Sequence, residues 1–337
     1  MIADRQKTIA VAPLATDFNA YTGLFANALR DAGARVVEYR WGFKAMSGYD
    51  AVVFHWPDQL IKPGETLSAL KQLFKLAVLQ RTRGLKVVWV AHNVFPHDTG
   101  ERGSWLGNAF IRSLDGIIYL SSRSQRLVHD AHRLPRRVAE QVTVHGRYPA
   151  PPLTFTPPAE HERVRLASIG LVRPYKNLGD LVDAVRNIDP SAIEVAIVGK
   201  RHDAAYAAEL EASASGNGVL TWQLSDAIID QSELDAAIDR AHGIVLPYRK
   251  ILNSGSAILA LSRARPVLVP AIGSMPELAD LVGHDWVRLY AGELDGQVLS
   301  EFAAHIRTMP HDAAPDLSPL SWGRVTDDLR QFLSALL

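Results

Sequence analysis

The sequence predicts an α/β protein with two doubly wound parallel-sheet domains in tandem, which face each other across a cleft. Short apolar runs alternate with helical patterns along the chain, and this alternation is typical of parallel sheets covered by helices on both faces. The alternation occurs twice, and a proline-rich segment separates the two series. The expected strands are 8–12, 35–39, 51–55, 86–91, 116–120 and 141–145 in the first domain, and 164–170, 193–199, 218–222, 243–246, 266–269 and 286–290 in the second.

The proline-rich segment sets the domain boundaries. Five of the ten residues 149–158 are proline, which suits neither a helix nor a central strand, so 149–159 is expected to be an extended linker. The first domain then covers 1–148 and the second covers 160–318. The remaining residues, 319–337, contain an amphipathic helical pattern from Trp322 to Leu337, which we expect to pack back on the first domain.

The charge of the chain differs between its halves. The 337 residues hold 36 Lys and Arg and 36 Asp and Glu, but residues 1–150 hold 20 basic and 12 acidic residues. This excess predicts a polyanionic or membrane partner for the first domain, and ordinary solvated helix faces are the alternative. Nucleic acid is not expected as a partner because no recognised binding motif accompanies the charge. The basic side chains concentrate in two helical patterns, 67–83 and 122–137: Lys71, Lys75, Arg81, Arg83, Arg123, Arg126, Arg133, Arg136 and Arg137.

Composition also limits the compartment. The chain has no cysteine, which excludes disulfides and thiolate chemistry and favours the cytosol. Its first residues contain no apolar run of signal-peptide length, and no segment has the ~20 apolar residues of a membrane span. We therefore expect a cytoplasmic protein.

A polar turn in the second domain is the first candidate binding element. Asn253, Ser254, Gly255 and Ser256 follow an apolar strand and precede a helix of small residues. The turn is expected to be a helix N-terminus at the carboxyl edge of the sheet, where open α/β sheets bind ligands and where free N–H groups suit a diphosphate. An ordinary N-cap formed by Ser or Asn is the alternative.

A second candidate element follows the first strand of the same domain. Gly170 permits a tight turn, and Arg173 and Lys176 then lie at the same sheet edge. Opposite the 254–256 turn, these two cations would hold a diphosphate from two sides, and a surface pair without a ligand is the alternative. The chain has neither a Walker A motif nor G-x-G-x-x-G, so neither a P-loop NTPase nor a standard dinucleotide enzyme is indicated.

Longer motifs around these elements resemble a known family. They are G-L-V-R-P-Y-K-N at 170–177, V-L-P-Y-R-K-I-L-N-S-G-S-A-I-L-A-L-S-R-A-R-P-V-L-V-P at 245–270, W-V-R-L-Y-A-G-E-L-D at 286–295, A-P-D-L-S at 314–318, H-W-P-D at 55–58 and H-N-V-F-P-H-D at 92–98. The combination resembles the xanthan-type GDP-mannose-dependent β-1,4-mannosyltransferases, glycosyltransferase family 94, over nearly the whole chain. The resemblance implies a GT-B fold, in which two tandem Rossmann-like domains face a cleft.

The resemblance also implies a reaction. The enzyme would be an inverting transferase that moves mannose from GDP-mannose to a polyprenyl-diphosphate-linked oligosaccharide in bacterial exopolysaccharide biosynthesis. Such an acceptor would place it on the inner face of the cell membrane as a peripheral protein, held to the anionic surface by the basic first domain. No metal is expected, because Arg173, Lys176 and the helix N-terminus supply the positive charge.

One departure from wider GT-B relatives affects the donor site. Those relatives carry two Glu eight residues apart across the 253–256 turn, and this chain has Ile251 and Leu259 there. Glu277 is therefore a candidate contact for the ribose or the sugar, with a Glu at a helix start as the alternative. The nucleobase is expected near Gly199, Lys200, Gln223 to Asp226 and Tyr248, with Asp226 as the acceptor for the guanine N–H groups.

The catalytic base is expected on the loops of the first domain. Inverting transfer requires a carboxylate or imidazole within hydrogen-bonding reach of the acceptor hydroxyl. The H-N-V-F-P-H-D motif offers Asp98, acting directly or through His97, and His92, which is expected to contact the donor sugar. Asp58 of H-W-P-D is the reserve, and a loop polar group or helix cap is the alternative for each. Trp56, Tyr21 and Trp41 are candidates for aromatic rings that stack on an acceptor sugar, and the alternative is that they belong to the hydrophobic core.

Three other functions stay open from the sequence alone. The chain could be a transferase for another nucleotide sugar, a nucleotide-sugar epimerase of the same architecture, or a non-catalytic partner subunit. An epimerase would change GDP-mannose without an acceptor, whereas a non-catalytic subunit would bind GDP without turnover.

Overall fold

The computed structural model describes residues 5–16, 19–57, 66–94 and 105–337. They form two compact units. The first runs to Gly146 and also includes Leu320–Leu337, and the second is Arg147–Pro319. Each unit contains one parallel sheet, so the predicted class, an α/β protein of two doubly wound domains, is confirmed.

The first unit is built on six described strands. They are β1 (Thr8–Ala12), β2 (Arg35–Glu38), β3 (Ala51–Phe54), β4 (Lys86–Ala91), β5 (Gly116–Tyr119) and β6 (Ala139–Val142). Their order across the sheet is β2-β1-β3-β4-β5-β6. The helices described between them are α1 (Ala20–Asp31), α2 (Phe43–Met46), α3 (Thr66–Arg83), α4 (Trp105–Ser113) and α5 (Ser122–Ala131).

The second unit repeats the design. Its strands are β7 (Val164–Ile169), β8 (Ile193–Lys200), β9 (Leu220–Ser225), β10 (Gly243–Val245), β11 (Val267–Pro270) and β12 (Val287–Tyr290), in the order β12-β11-β10-β7-β8-β9. Its α-helices are α6 (Leu178–Ala184), α7 (Ala204–Ser213), α8 (Gln231–Arg240), α9 (Gly255–Ser262), α10 (Met275–Val282) and α11 (Gly296–Thr308). Short 3₁₀ turns cover Pro174–Lys176, Val185–Asn187 and Ser318–Leu320.

The strand order places one switch point in each sheet. In the first, the chain goes from β1 to β2 on one side and then to β3 on the other. In the second, β7 leads outward through β8 and β9, and the chain then returns to β10 on the opposite side of β7. Open α/β sheets bind ligands beyond the carboxyl ends of the strands at such points, so ligand-binding residues are expected directly after β1, β3, β7 and β10.

Apolar runs with β-branched residues form the central strands. All four residues of β3 and of β5 are buried, because helices cover both faces of the sheet. Edge strands are more polar: Ala139–Val142 has no fully buried residue. This weak pattern explains why β6 lies at 139–142 instead of the predicted 141–145, since pairing with β5 determines its position.

The last helix, α12 (Trp322–Leu336), packs on α1 and β6 of the first unit. Phe332 lies against Gly116, where a Cβ would be 2.6 Å from its ring.

The proline-rich segment, expected as a linker, belongs to the second unit: Phe155 is fully buried, and its N–H donates to the Ala313 carbonyl at 2.7 Å.

The second basic helix is shorter than predicted. Helix α5 ends at Ala131, so Arg133, Arg136 and Arg137 lie beyond it. Pro135 explains the early end, because the residue before a proline avoids helical backbone angles. No helix in the described part of the chain is long and apolar enough to cross a bilayer.

Candidate functional site

The switch point of the second sheet brings several of the predicted residues together. Gly170 directly follows β7 and has a φ of 104°, which favours glycine. A Cβ there would lie 2.6 Å from Lys176 Nζ and 3.6 Å from Ser256 Oγ. The turn is fixed from the β8 side, since the Gly170 N–H donates to the Val198 carbonyl at 2.9 Å. The glycine, the lysine and the serine therefore converge on one point at the sheet edge.

Lys176 is a buried cation. The residue is only 6% exposed, and its Nζ donates to the Ile169 carbonyl at 2.8 Å. Nζ also lies 5.9 Å from the centre of the Tyr248 ring, a distance at which an ammonium is attracted to the aromatic face. Burial, and then the charge of Arg173, lower the pKa of Lys176 to about 8. An anion in contact with Nζ would offset both effects.

Arg173 adds a second cation close to the first. One of its terminal nitrogens is 3.4 Å from His202 Nδ1, and its buried Nε has no hydrogen-bond partner. Within the described ranges neither Arg173 nor Lys176 forms an ion pair, unlike the neighbouring Arg201, which pairs with Glu211 at 2.9 Å. The two cations repel each other, and no carboxylate in the described part of the chain neutralises them, an arrangement suited to an anionic ligand.

The N-terminus of α9 lies on the β10 side of this point. Ser254 is its N-cap: Oγ accepts the Ala257 N–H at 3.1 Å and is also hydrogen-bonded to the Tyr248 hydroxyl at 2.8 Å. The alternative of an ordinary N-cap therefore holds for this side chain. The N–H groups of Gly255 and Ser256 come before the capped Ala257 N–H in the first turn, and they have no acceptor within the helix. The backbone and the Ser256 hydroxyl are what this helix can offer a phosphate.

Other predicted donor contacts lie further out. Asp226 follows the edge strand β9, is paired with Arg201 at 3.6 Å, and has a side chain that is 86% exposed. Glu277 is half-buried in the first turn of α10, a position where the helix dipole favours an acidic residue. Asn253 is half-buried immediately before the Ser254 cap. Their roles toward a nucleotide sugar stay predictions.

The first sheet carries a second cluster at its carboxyl edge. His55 directly follows β3 and His92 directly follows β4, and His55 Nδ1 is 3.0 Å from His92 Nε2. Trp56 stacks on the His92 ring with centroids 4.8 Å apart, and the Tyr21 ring meets it edge-on at 5.2 Å. Burial lowers the pKa of His55 to about 3, so this imidazole is neutral.

Sequence reasoning considered His92 and missed His55. The signal was present, since a histidine is the first residue after each of two neighbouring strands.

Of the expected aromatic platforms, Tyr21 is buried and Trp41 packs on Tyr39 with ring centroids 4.6 Å apart. Both therefore belong to the core, which was the alternative given for them. The base candidates Asp58, His97 and Asp98 lie outside the described residues. No group of three or more His, Asp or Glu side chains that could hold a metal occurs among the residues described.

Comparison with known proteins gives two kinds of match. The chain is 31% identical over 330 residues to a GDP-mannose:glycolipid 4-β-D-mannosyltransferase of Xanthomonas campestris pv. campestris, covering 94% of this chain and 90% of that enzyme. A second sequence of the same description, from a strain of that pathovar, matches at 31% over 328 residues, with coverage of 94% and 90%. No family model matches the chain.

Solved structures show the fold. Sucrose-phosphate synthase from Thermosynechococcus elongatus superposes with a TM-score of 0.64 at 14% identity, covering 98% of this chain and 95% of its own. HepE from Anabaena, solved in complex with UDP-glucose, superposes with a TM-score of 0.67 at 13% identity and covers 98% of this chain and 100% of its own. The fold is therefore GT-B.

Proposed function

Because this chain belongs to the family of GDP-mannose:glycolipid 4-β-D-mannosyltransferases, we propose that it transfers mannose from GDP-mannose to a polyprenyl-diphosphate-linked oligosaccharide, with inversion at the anomeric carbon. The relatives support a transferase and not the epimerase alternative. The proposed setting is bacterial exopolysaccharide biosynthesis at the inner face of the cell membrane. The observation that carries the proposal is the convergence of Gly170, Lys176 and Ser256 at the switch point of the second sheet.

The diphosphate of the donor fits this point chemically. Lys176 and Arg173, on the β7 side, have no carboxylate partner among the described residues, and the N-terminus of α9 presents N–H groups on the β10 side. As the sugar leaves, negative charge grows on the departing GDP, and fixed positive charge at that place lowers the barrier. We propose that these groups do the work that a divalent metal does in other transferases.

The remaining donor contacts are proposed from the sequence and from exposure. Asp226 would accept the guanine N–H groups, which requires it to leave or share its exposed ion pair with Arg201. Glu277 and Asn253 would bind the ribose or the sugar. Tyr248 is buried beneath Lys176, so its role is to hold Ser254 and the cation in place.

The lowered pKa of Lys176 predicts a pH dependence of GDP binding. A bound diphosphate stabilises the charged amine, so the pKa is higher in the complex than in the free protein, where it is about 8. GDP affinity should therefore be full below that pH and fall by up to about tenfold per pH unit above it. Calorimetric titration with GDP at a series of pH values measures this.

Lys176→Met is the matched control for this titration because its side chain cannot ionise. Its GDP affinity should be lower and should not fall in the range where the wild-type affinity does, and it also corrects for ionisation of the nucleotide. Parallel pH profiles for the two proteins would rule out Lys176 as the group that meets the phosphate.

A membrane-facing surface is proposed on α3. Leu67 and Phe74 lie seven residues apart on one side of this helix and are 68% and 66% exposed, and Leu70 is exposed beside them. Lys71 lies on the same exposed side, whereas Ala69, Leu76 and Leu79 on the opposite side are buried. An exposed apolar stripe with flanking cations is what anionic lipid binds.

Vesicle binding tests this surface. Leu67→Ser combined with Phe74→Ser should reduce sedimentation with anionic vesicles at every salt concentration, because it removes the apolar contact. Replacing Lys71, Lys75, Arg81 and Arg83 with Gln should reduce binding mainly at low salt, since exposed charges are screened beyond ~10 Å at 0.1 M.

Ile228→Ser is the control for this experiment, because Ile228 is an exposed apolar residue of the second unit, 45% accessible. It should leave vesicle binding unchanged. A wild-type protein that ignores anionic vesicles at low salt would refute the surface, as would equal losses in the control and the α3 variants.

A further inference from the structure

The His55–His92 pair is the part of the first unit that the proposed reaction leaves unexplained. His55 is 1% exposed and lies among rings: Phe25 at 5.0 Å and Tyr21 at 5.8 Å, both edge to face. Among the described residues, the one hydrogen bond of its imidazole joins Nδ1 to His92 Nε2, and its buried Nε2 has no partner there. Because this buried imidazole makes one hydrogen bond, and makes it to another imidazole, it can determine the tautomer and the orientation of that second ring.

The direction of this bond follows from the unpartnered nitrogen. A neutral imidazole carries one hydrogen, so one ring nitrogen donates and the other accepts. With the hydrogen on Nε2, His55 would bury an N–H that has no acceptor, which folded proteins avoid more strictly than a bare acceptor. With the hydrogen on Nδ1, His55 donates to His92 Nε2 and only a lone pair is left without a partner.

That arrangement determines the tautomer of His92 as well. Since Nε2 of His92 accepts, the hydrogen of neutral His92 is on Nδ1. Stacking with Trp56 at an interplanar angle of 26° and the edge-on Tyr21 at 89° restrict rotation of the ring from two sides. His92 is therefore held in one orientation and one tautomer by groups that are themselves buried or stacked.

We propose that His55 is a positioning residue, which donates a hydrogen bond from Nδ1 to His92 Nε2 and so keeps the hydrogen of His92 on Nδ1, the tautomer in which Nδ1 is a hydrogen-bond donor. This inference rests on the proposed function and on the expectation from the sequence that His92 contacts the sugar of the donor. A fixed N–H donor recognises a hydroxyl oxygen, and pre-orientation removes the cost of selecting a rotamer and a tautomer when the sugar binds.

Nitrogen-15 NMR of histidine-labelled protein tests the tautomer without any assay of activity. Signals of His92 are assigned by their loss in His92→Asn. The wild-type protein should show His92 with a protonated Nδ1 and a bare Nε2. His55→Leu should give a mixture of His92 tautomers, whereas His55→Asn, whose side-chain amide can donate from nearly the same place, should retain the wild-type pattern.

Activity and stability separate positioning from packing. In His55→Leu, kcat/KM for transfer should fall about tenfold, which corresponds to ~1.4 kcal/mol, and His55→Asn should recover most of the loss. Phe25→Leu is the packing control: it contacts His55, and should lower the melting temperature without changing the His92 tautomer.

Two results would overturn the inference: an Nε2-protonated His92 in the wild-type protein, or an unchanged His92 tautomer in His55→Leu. If the tautomers are as expected but the wild-type protein transfers nothing from GDP-mannose, the positioning role stands and the proposed function fails.

Discussion

Replacing Lys176 with methionine is expected to reduce mannosyl transfer by roughly tenfold to a hundredfold, because charge-assisted contacts to phosphate contribute about 1.5–3 kcal/mol. The loss should appear in GDP affinity and in kcat, since Lys176 is proposed to hold the diphosphate and to neutralise it as it departs. Methionine resembles lysine in length and tolerates apolar surroundings, so the fold should survive.

The stability of this variant should move in the opposite direction. Burial of the ammonium, with Arg173 nearby, makes the charged lysine unfavourable in the free protein, which is why its pKa is low. Because the folded pKa lies below the unfolded one, the penalty is present at neutral pH and disappears as the pH rises past the unfolded value. The melting temperature of Lys176→Met should therefore equal or exceed that of the wild type.

Arg186→Met is the control for charge removal, because Arg186 is an exposed partner of Asp183 in the same unit. It should leave both transfer and GDP affinity unchanged. Full activity in Lys176→Met, or a loss of activity that merely follows a loss of folding, would contradict the proposed diphosphate site.

Replacing Asp98 with asparagine is expected to reduce transfer by about 10²–10⁴, the usual effect of losing a general base. An inverting displacement requires the acceptor hydroxyl to lose its proton on the face opposite the departing GDP. The base is proposed at Asp98, in the H-N-V-F-P-H-D motif that follows β4 in the sequence. GDP affinity should be unchanged in Asp98→Asn, because Lys176, Ser256 and the N-terminus of α9 are intact.

Asp58→Asn is the matched control, since Asp58 follows the neighbouring strand β3 and is the reserve candidate. It should keep transfer within about tenfold of wild type, less than general-base loss costs. Single-turnover measurement with saturating GDP-mannose separates chemistry from binding. A slow Asp58→Asn and an active Asp98→Asn would exchange the two roles, and an active pair would remove both.

Much of the fold could be predicted because most central strands are visible in the sequence as short apolar runs. Runs such as Lys86–Ala91 and Ala51–Phe54 are rich in apolar and β-branched residues, and they form strands within one residue of the predicted limits. Edge strands were less certain. In β6 the residues Ala139–Val142 have little periodicity, and pairing with a neighbour, which the sequence does not display, decides where the strand lies.

The convergence of residues at the switch point of the second sheet could be predicted because each of them is close in sequence to a strand end. Gly170, Lys176 and Ser256 met because the carboxyl ends of parallel strands share an edge, which topology guarantees once β7 and β10 are adjacent. His55 was missed for the opposite reason. Its importance comes from a contact with His92, 37 positions away, and no local pattern reveals which ring nitrogen meets which.

Stereochemical analysis of the product is the most direct test of inverting mannosyl transfer by this protein. The protein is incubated with GDP-mannose labelled with carbon-13 at the anomeric carbon, with and without a polyprenyl-diphosphate-linked oligosaccharide, and the mixture is followed by NMR. We expect a β-linked mannosyl product, with stoichiometric release of GDP, only when the acceptor is present. An α-linked product, a change of the sugar in free GDP-mannose, or GDP binding without turnover would contradict it.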